Sequence, residues 1–340
     1  MVTVGIVGAG IRGRMYAEAL RGLDGVAVLA LAEPDSQAAA SAHHDTGIPV
    51  VGSYDELLQR HDPDAIIVAT PDFAHRGPAV AAAEAGKHLL IEKPLATTLD
   101  DARAIADAVR RGGATCTVGF ENRWNPHVHT AQRNIAAGEV GDHITSSATL
   151  SNSWYVPTRM LRWSARSSPA WFLMPHTVDM LLWFTGRQPV SVSAVASRGQ
   201  LAARGIDTDD VVHALLTYDD GTTSSLTSAW TLPDAHPAIV DFRFRYIGTA
   251  GTIAGDPIRQ GLDLVADRPH SLPTLGHTIG RAAVGAPVWM AQEFALNLRD
   301  GLPTGPGIEQ GLLVTEVISA IERACRDGRS TPIRARSAQR

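Results

Sequence analysis

Three glycines close to the N-terminus, Gly8, Gly10 and Gly13, stand at the spacing Gly-x-Gly-x-x-Gly. One glycine of such a set permits a tight turn, one lets backbone approach a pyrophosphate, and one lets a helix pack on a strand. The helix that follows offers free N–H groups and the positive end of its dipole to phosphate, which places Ile11 at the same contact. Arg12, inside the turn, either stacks near adenine or pairs with phosphate, or it points to solvent. Glu33 closes an apolar run at 26–32, about 20 residues beyond the glycines, where a carboxylate accepts hydrogen bonds from ribose hydroxyls. Its charge repels a 2′-phosphate, and no Lys or Arg follows in PDSQAAA, so NAD is expected and NADP is disfavoured. Without the glycines, Glu33 would read as a solvated charge at a strand end.

A second set closes the apolar run at 88–91 with Glu92-Lys93-Pro94. The proline forces an extended exit that holds Lys93 in place. An ammonium there can hydrogen-bond a substrate oxygen whose charge changes as hydride leaves. The bland alternative is an exposed lysine at a strand end. Thr70, Pro71 and His75, in TPDFAH after the run at 65–69, occupy a corresponding strand end. Together with Glu92 and Lys93 they are expected to line a cofactor crevice.

Placing these groups requires alternating elements. Strand-like runs at 2–7, 26–32, 65–69, 88–91 and 114–119 interleave with helix-like segments at 15–21, 54–60, 77–85 and 99–111. Such alternation implies an α/β domain with a doubly wound parallel sheet of the Rossmann type, which binds ligands beyond the carboxyl ends of its strands. Beyond it, strand-like stretches at 143–150, 190–197, 211–218, 222–231 and 240–247 lack that alternation, and Asp219-Asp220-Gly221 reads as a hairpin turn. The expected division is a Rossmann domain over 1–121 and an α+β domain with an open, mostly antiparallel sheet over 122–340.

Composition narrows the class. A chain of 340 residues exceeds the usual single core, so two domains are the first expectation, with one large barrel as the alternative. Lys+Arg 30 against Asp+Glu 35 gives a net charge of -5, without the basic excess that nucleic acid rewards. Cys116 and Cys325 form no CxxC pair, which fits a reducing cytoplasm. MVTVGIVGAG reads as a first strand, not a signal peptide, and no apolar run reaches membrane-span length. A soluble, cytoplasmic protein is expected. His127 and His129 have no third ligand at a recognised spacing, so no metal is expected.

The segments VGIVGAGIRG, ATPDFAHRGPAVAAAEAGKHLLIEKPLATT, GFENRWNP, PHTVDMLLWFTG and GLLVTEVISAIERACRDG, in that order, resemble the Gfo/Idh/MocA oxidoreductase family. The resemblance implies an NAD-binding domain followed by an open-sheet domain used to form dimers or tetramers. It also implies a helix carrying Asp-x-x-x-His-x-x-Asp, presented to substrate opposite the lysine. His176 and Asp179 match its last two positions. His176 would take the hydroxyl proton as hydride leaves, and Asp179 would bind a substrate hydroxyl or stabilise the helix. Phe172 stands at the first position, where it can neither orient an imidazole nor share a proton. Arg123 corresponds to a position beside substrate and nicotinamide; its alternative is a salt bridge at the domain junction.

Between Trp154 and His176, Arg159, Arg162 and Arg166 interleave with Tyr155, Trp163 and Trp171. Aromatic faces suit sugar C–H surfaces and guanidinium groups suit carboxylate or phosphate, so Tyr155 and Arg162 are candidate substrate contacts; an oligomer interface would use the same residue types. The expected function is NAD-dependent oxidation or reduction of a secondary hydroxyl on a sugar, sugar acid or cyclitol, with Lys93 and His176 at the reacting oxygen. Two alternatives stand beside it. Tightly bound NAD could serve transiently in elimination or epimerisation, or the protein could be a catalytically silent NAD sensor.

Overall fold

The computed structural model describes residues 1–258, 277–279 and 282–333. The chain divides into two compact units, Met1–Glu121 with Leu275–Thr315, and Asn122–Thr274 with Glu316–Arg340.

In the first unit, β1 (Val2–Val7), β2 (Val26–Ala32), β3 (Val50–Val51), β4 (Ala65–Val68), β5 (His88–Glu92) and β6 (Cys116–Gly119) form one sheet in the order β3-β2-β1-β4-β5-β6. Every pair is parallel. The helices α1 (Ile11–Leu20), α2 (Ser36–Thr46), α3 (Tyr54–His61), α4 (Arg76–Glu84) and α5 (Leu99–Gly112) alternate with the strands. The central strands are runs of Val, Ile and Leu because both faces are covered; Ile6, Ile67 and Leu90 are fully buried. Local capping sets the helix starts: Ser53 accepts from the Glu56 N–H and Thr98 from the Asp101 N–H. The strand order reverses between β1 and β4, so a crevice opens where their carboxyl ends diverge.

In the second unit, β7 (His143–Ser153), β8 (Pro189–Ser197), β9 (Val211–Tyr218), β10 (Thr223–Leu232), β11 (Val240–Gly248) and β12 (Thr252–Gly255) run in the order β12-β11-β7-β10-β9-β8, with the short strand Thr331–Pro332 beside β8. All pairs are antiparallel except β7 with β10. Gly221, at φ +84°, makes the expected hairpin turn between β9 and β10. The strands alternate in burial because the sheet has one covered face. On that face lie α7 (Pro169–Phe172) and α8 (Met174–Thr185), which pack on β7 and β10; α6 (Pro126–Ala136) packs against α8. The other face presents Val195, His213, Leu215, Arg243 and Arg245 to solvent.

The expected single crossing at residue 121 omits a return of the chain: 275–315 belong to the first unit. The physical reason is the edge of β6. There the Val118 N–H donates to Pro306 O at 2.8 Å, and Thr117 Oγ1 donates to Thr304 O at 2.8 Å. A parallel edge strand is left with unpaired backbone groups, and this segment satisfies them. Within the same return, α9 (Ala286–Asp300) packs on α1, and Gln292 Nε2 donates to Ala19 O at 3.0 Å. Among the described residues, no helix is long and apolar enough to cross a membrane.

Candidate functional site

The turn between β1 and α1 needs each of its glycines for a different reason. Gly8 has φ +96°, and a Cβ there would lie 2.6 Å from Ala69 O. A Cβ on Gly13 would lie 1.8 Å from Gly8 O, so only glycine lets α1 sit this close to β1. Around Gly10, by contrast, a Cβ would meet nothing within 4 Å. The backbone there faces open space at the N-terminus of α1, a helix with no capping side chain and no acid in its first turn. Ile11 is 59% exposed at the same place.

Glu33 is held beside this turn, Oε2 accepting from the Ala9 N–H at 3.0 Å and Oε1 from the Asp35 N–H at 3.1 Å. Thr70 and Pro71 follow β4, and Thr70 Oγ1 is buried with no hydrogen-bond partner among the described residues. An open glycine cradle, a bare helix start, a fixed carboxylate and a buried hydroxyl without a partner together fit the pyrophosphate and ribose of a dinucleotide. His75 is buried and braces two loops: Nδ1 lies 2.8 Å from Pro94 O and Nε2 3.1 Å from Thr70 O.

Lys93 sits past the end of β5, only 7% exposed, beside Glu92. That is not the exposed strand-end lysine of the bland reading. Glu92 Oε1 accepts from the Tyr16 hydroxyl, and Oε2 accepts from the Lys93 N–H at 3.1 Å. Arg12 Nη2 donates to Glu121 Oε1 at 2.7 Å, and its Nε lies 3.6 Å from Glu92 Oε1. The guanidinium is therefore committed to two carboxylates, which neither sequence alternative for Arg12 included. Burial pushes the Lys93 ammonium below the usual lysine range, against the pull of Glu92, Glu121 and Asp72. Burial likewise pushes the Glu121 carboxyl up, against the pull of Arg12.

Sequence reasoning missed Tyr16, Glu121 and Asp72. A signal existed for the first two. Arg12 and Tyr16 are four apart on one helix and share a face. Glu121 lies just past the end of β6, where the same strand-end rule singled out Glu92 and Lys93.

In the second unit, α8 carries His176 in its first turn and Asp179 one turn later, both buried. Both oxygens of Asp179 are taken by Arg123: Nε to Oδ2 at 2.8 Å and Nη2 to Oδ1 at 2.7 Å. The same guanidinium lies over the Trp183 ring, 4.9 Å from its centroid. The structure thus brings together two residues that the sequence assigned separately to substrate. Phe172, one turn ahead of His176, packs against Trp163 and Trp230 with ring centroids 5.9 and 5.7 Å away. Tyr155 is half-buried and Arg162 exposed, while Arg159 reaches 3.9 Å from Asp234. His129 lies near Trp183, at 6.2 Å between ring centroids.

Comparison with known proteins covers both units. A family model described as an oxidoreductase family with an NAD-binding Rossmann fold matches residues 2–120, and the GFO/IDH/MocA C-terminal domain matches residues 128–254. Inositol 2-dehydrogenase 1 of Saccharopolyspora erythraea is 30% identical over 206 residues, which is 59% of this chain and 60% of the relative. The scyllo-inositol 2-dehydrogenase (NAD(+)) of Bacillus subtilis is 29% identical over 202 residues, 58% of this chain and 56% of the relative. The chain thus spans less than two thirds of either relative's length. The crystal structure of scyllo-inositol dehydrogenase from Lactobacillus casei with bound cofactor NAD(H) and scyllo-inositol has a TM-score of 0.82 and 18% identity, covering 98% of this chain and 99% of the other. At that identity the likeness is one of fold. Matched in order by the family's two domains, the chain belongs to the Gfo/Idh/MocA oxidoreductase family.

Proposed function

We propose that the protein catalyses reversible NAD-dependent oxidation of a secondary hydroxyl on a sugar, sugar acid or cyclitol. The observation that carries this reading is Lys93. Lysine occurs at two positions in the chain, 87 and 93, among 30 Lys and Arg side chains. Elsewhere in the chain the long basic side chains are almost all arginine, a planar fork, whereas Lys93 is a compact ammonium donor buried at a strand end.

Gly8, Gly10, Ile11, Gly13, Glu33, Thr70 and Pro71 would hold the dinucleotide, and His75 would brace the loops around it. Bound there, NAD supplies a hydride acceptor. Glu33 disfavours a 2′-phosphate by charge repulsion, which selects NAD over NADP. Lys93, as the ammonium, donates a hydrogen bond to the hydroxyl oxygen and stabilises the negative charge that grows on it. His176 takes the hydroxyl proton and passes it to solvent. Arg123 and Asp179 hold α8 and present the remaining N–H groups of the guanidinium to substrate oxygens. Tyr155 and Arg162 approach the substrate from their segment. Phe172 supplies an apolar surface where the family has a carboxylate, so the substrate offers a C–H face at that point. The relatives named for inositols support a cyclitol or sugar.

The same reading includes a homodimer or homotetramer built on the exposed sheet face, where Val195 is 63% and Leu215 45% exposed. Sedimentation equilibrium distinguishes these from a monomer. For the activity, a thermal-shift screen of cyclitols, aldoses and uronates with NAD or NADP present, followed by NADH absorbance on the hits, is the test. Ligands that raise the melting temperature only with NAD and are then oxidised support the proposal. Hits that bind without any change in cofactor absorbance count against it.

A further inference from the structure

We infer that Arg12 and Glu121 are positioning residues for Lys93: their ion pair sets the charge that the Lys93 ammonium meets and fixes the orientation of Glu92 beside it. The inference rests on the reading that Lys93 does chemistry, and deepens it.

The first unit buries three acids, Glu92, Glu121 and Asp72, and the base Lys93 in one region, with Arg12 half-buried at its side. Buried charges are costly unless they are paired with good geometry. The pairing comes from α1. Arg12 donates to Glu121 and stands close to Glu92, while Tyr16, on the same helix face, donates to Glu92. Glu92 in turn accepts from the Lys93 N–H, so its carboxylate is fixed from both sides. Glu121 Oε2 is buried and has no hydrogen-bond partner among the described residues. A carboxylate so placed acts on its surroundings mainly through its charge.

The groups that act on Lys93 come from four elements: Glu92 from β5, Arg12 from α1, Glu121 from beyond β6, and Asp72 from the turn Asp72–Ala74. Arg12 lowers the affinity of Lys93 for its proton and the three acids raise it. As long as Glu121 stays ionised, removing Arg12 or Glu121 therefore moves the lysine in opposite directions, and removing both offsets only in part. A scaffold role that merely kept the loop folded would give no such opposition.

Because the chain has two lysines, both can be watched at once by NMR on full-length protein labelled with ¹³C at the lysine ε-carbon. Lys87, paired with Asp62 at the surface, serves as the internal control. Glu121→Gln is expected to lower the pH at which Lys93 titrates, Arg12→Met to raise it, each by roughly one unit. The double variant falls between Glu121→Gln and the wild type, because the pull of Glu121 exceeds the push of Arg12, and Lys87 stays put in all three. No movement of Lys93, or movement in the same direction in both single variants, overturns the inference. Where Arg12→Met does not fold, Glu121→Gln decides alone, since it keeps the shape and removes only the charge; an unchanged or raised titration is then the contrary result. The measurement needs no substrate. If Lys93 shifts as expected while Lys93→Met keeps full turnover, the proposed function fails and the electrostatic assignment stands. If Lys93→Met is inactive but Lys93 does not shift, the reverse holds.

Discussion

Arg123 and Asp179 clasp each other at two points, at 2.8 and 2.7 Å, although 56 residues separate them in the chain. Planar guanidinium and planar carboxylate match as a fork, so the pair fixes angle as well as distance. Asp179 sits one turn beyond His176 on α8, and an anchor there sets the rotation of the helix about its axis. The ring of Trp183, four residues further along α8, lies beneath the same guanidinium.

Removing Arg123 strands the buried Asp179 carboxylate, whereas removing Asp179 leaves a partly exposed guanidinium unpaired. Arg123→Ala is expected to destabilise the protein by about 3 kcal/mol, and Asp179→Ala by less. Denaturant titration of the two single variants and the double measures this, and the double should cost less than the sum of the singles. Additive losses would show that the pair is not coupled.

The glycine turn yields a sharper contrast. A Cβ at Gly13 collides with Gly8 O, whereas one at Gly10 enters empty space. Gly13→Ala is expected to lower the melting temperature by several degrees, while Gly10→Ala leaves it unchanged. Both lose NAD affinity at least tenfold, about 1.4 kcal/mol. Calorimetric titration with NAD checks this; an unaltered affinity in Gly10→Ala would remove the phosphate from that position.

Burial lowers the Lys93 pKa, and the consequence for pH follows. The unfolded chain binds the lysine proton more tightly than the folded one. Between the lowered folded value and the ordinary lysine value, stability therefore rises as the pH rises, and below that window the penalty is fully present. Lys93→Met removes it. At neutral pH this variant is expected to melt above the wild type while losing turnover by a factor of about 10² to 10⁴. On the proposed role of Lys93, the wild type is expected to lose activity on the alkaline side below the usual lysine range, as the ammonium is deprotonated. Thermal melts and turnover as functions of pH provide both readings.

How much of this was legible from residues alone depended on whether the constraint was local. Gly8 and Gly13 announce backbone that no other residue can adopt, and the alternation from Val2 to Gly119 follows from parallel strands buried on both faces. Phe172 was legible as a substitution, but not its packing against Trp163 and Trp230, which lie on other elements. Arg12 could not be placed, because its partner Glu121 is 109 residues away and only the closing of β6 onto β5 brings it near. Likewise the two-residue strand β3 carries too short a pattern to read, and the return of 275–315 is dictated by an exposed strand edge rather than by its own sequence.

The account stands on hydride transfer from a substrate carbinol, and isotope transfer tests it most directly. Each cyclitol, aldose or uronate that stabilises the protein with NAD is supplied with deuterium on its carbinol carbons, and the cofactor is examined by mass spectrometry after a single turnover. The account predicts one deuterium on the nicotinamide ring with wild-type protein, and at least a hundredfold slower labelling with Lys93→Met or His176→Asn, both still binding NAD. Substrate converted without any deuterium reaching the nicotinamide, or labelling at the wild-type rate in both variants, would contradict it.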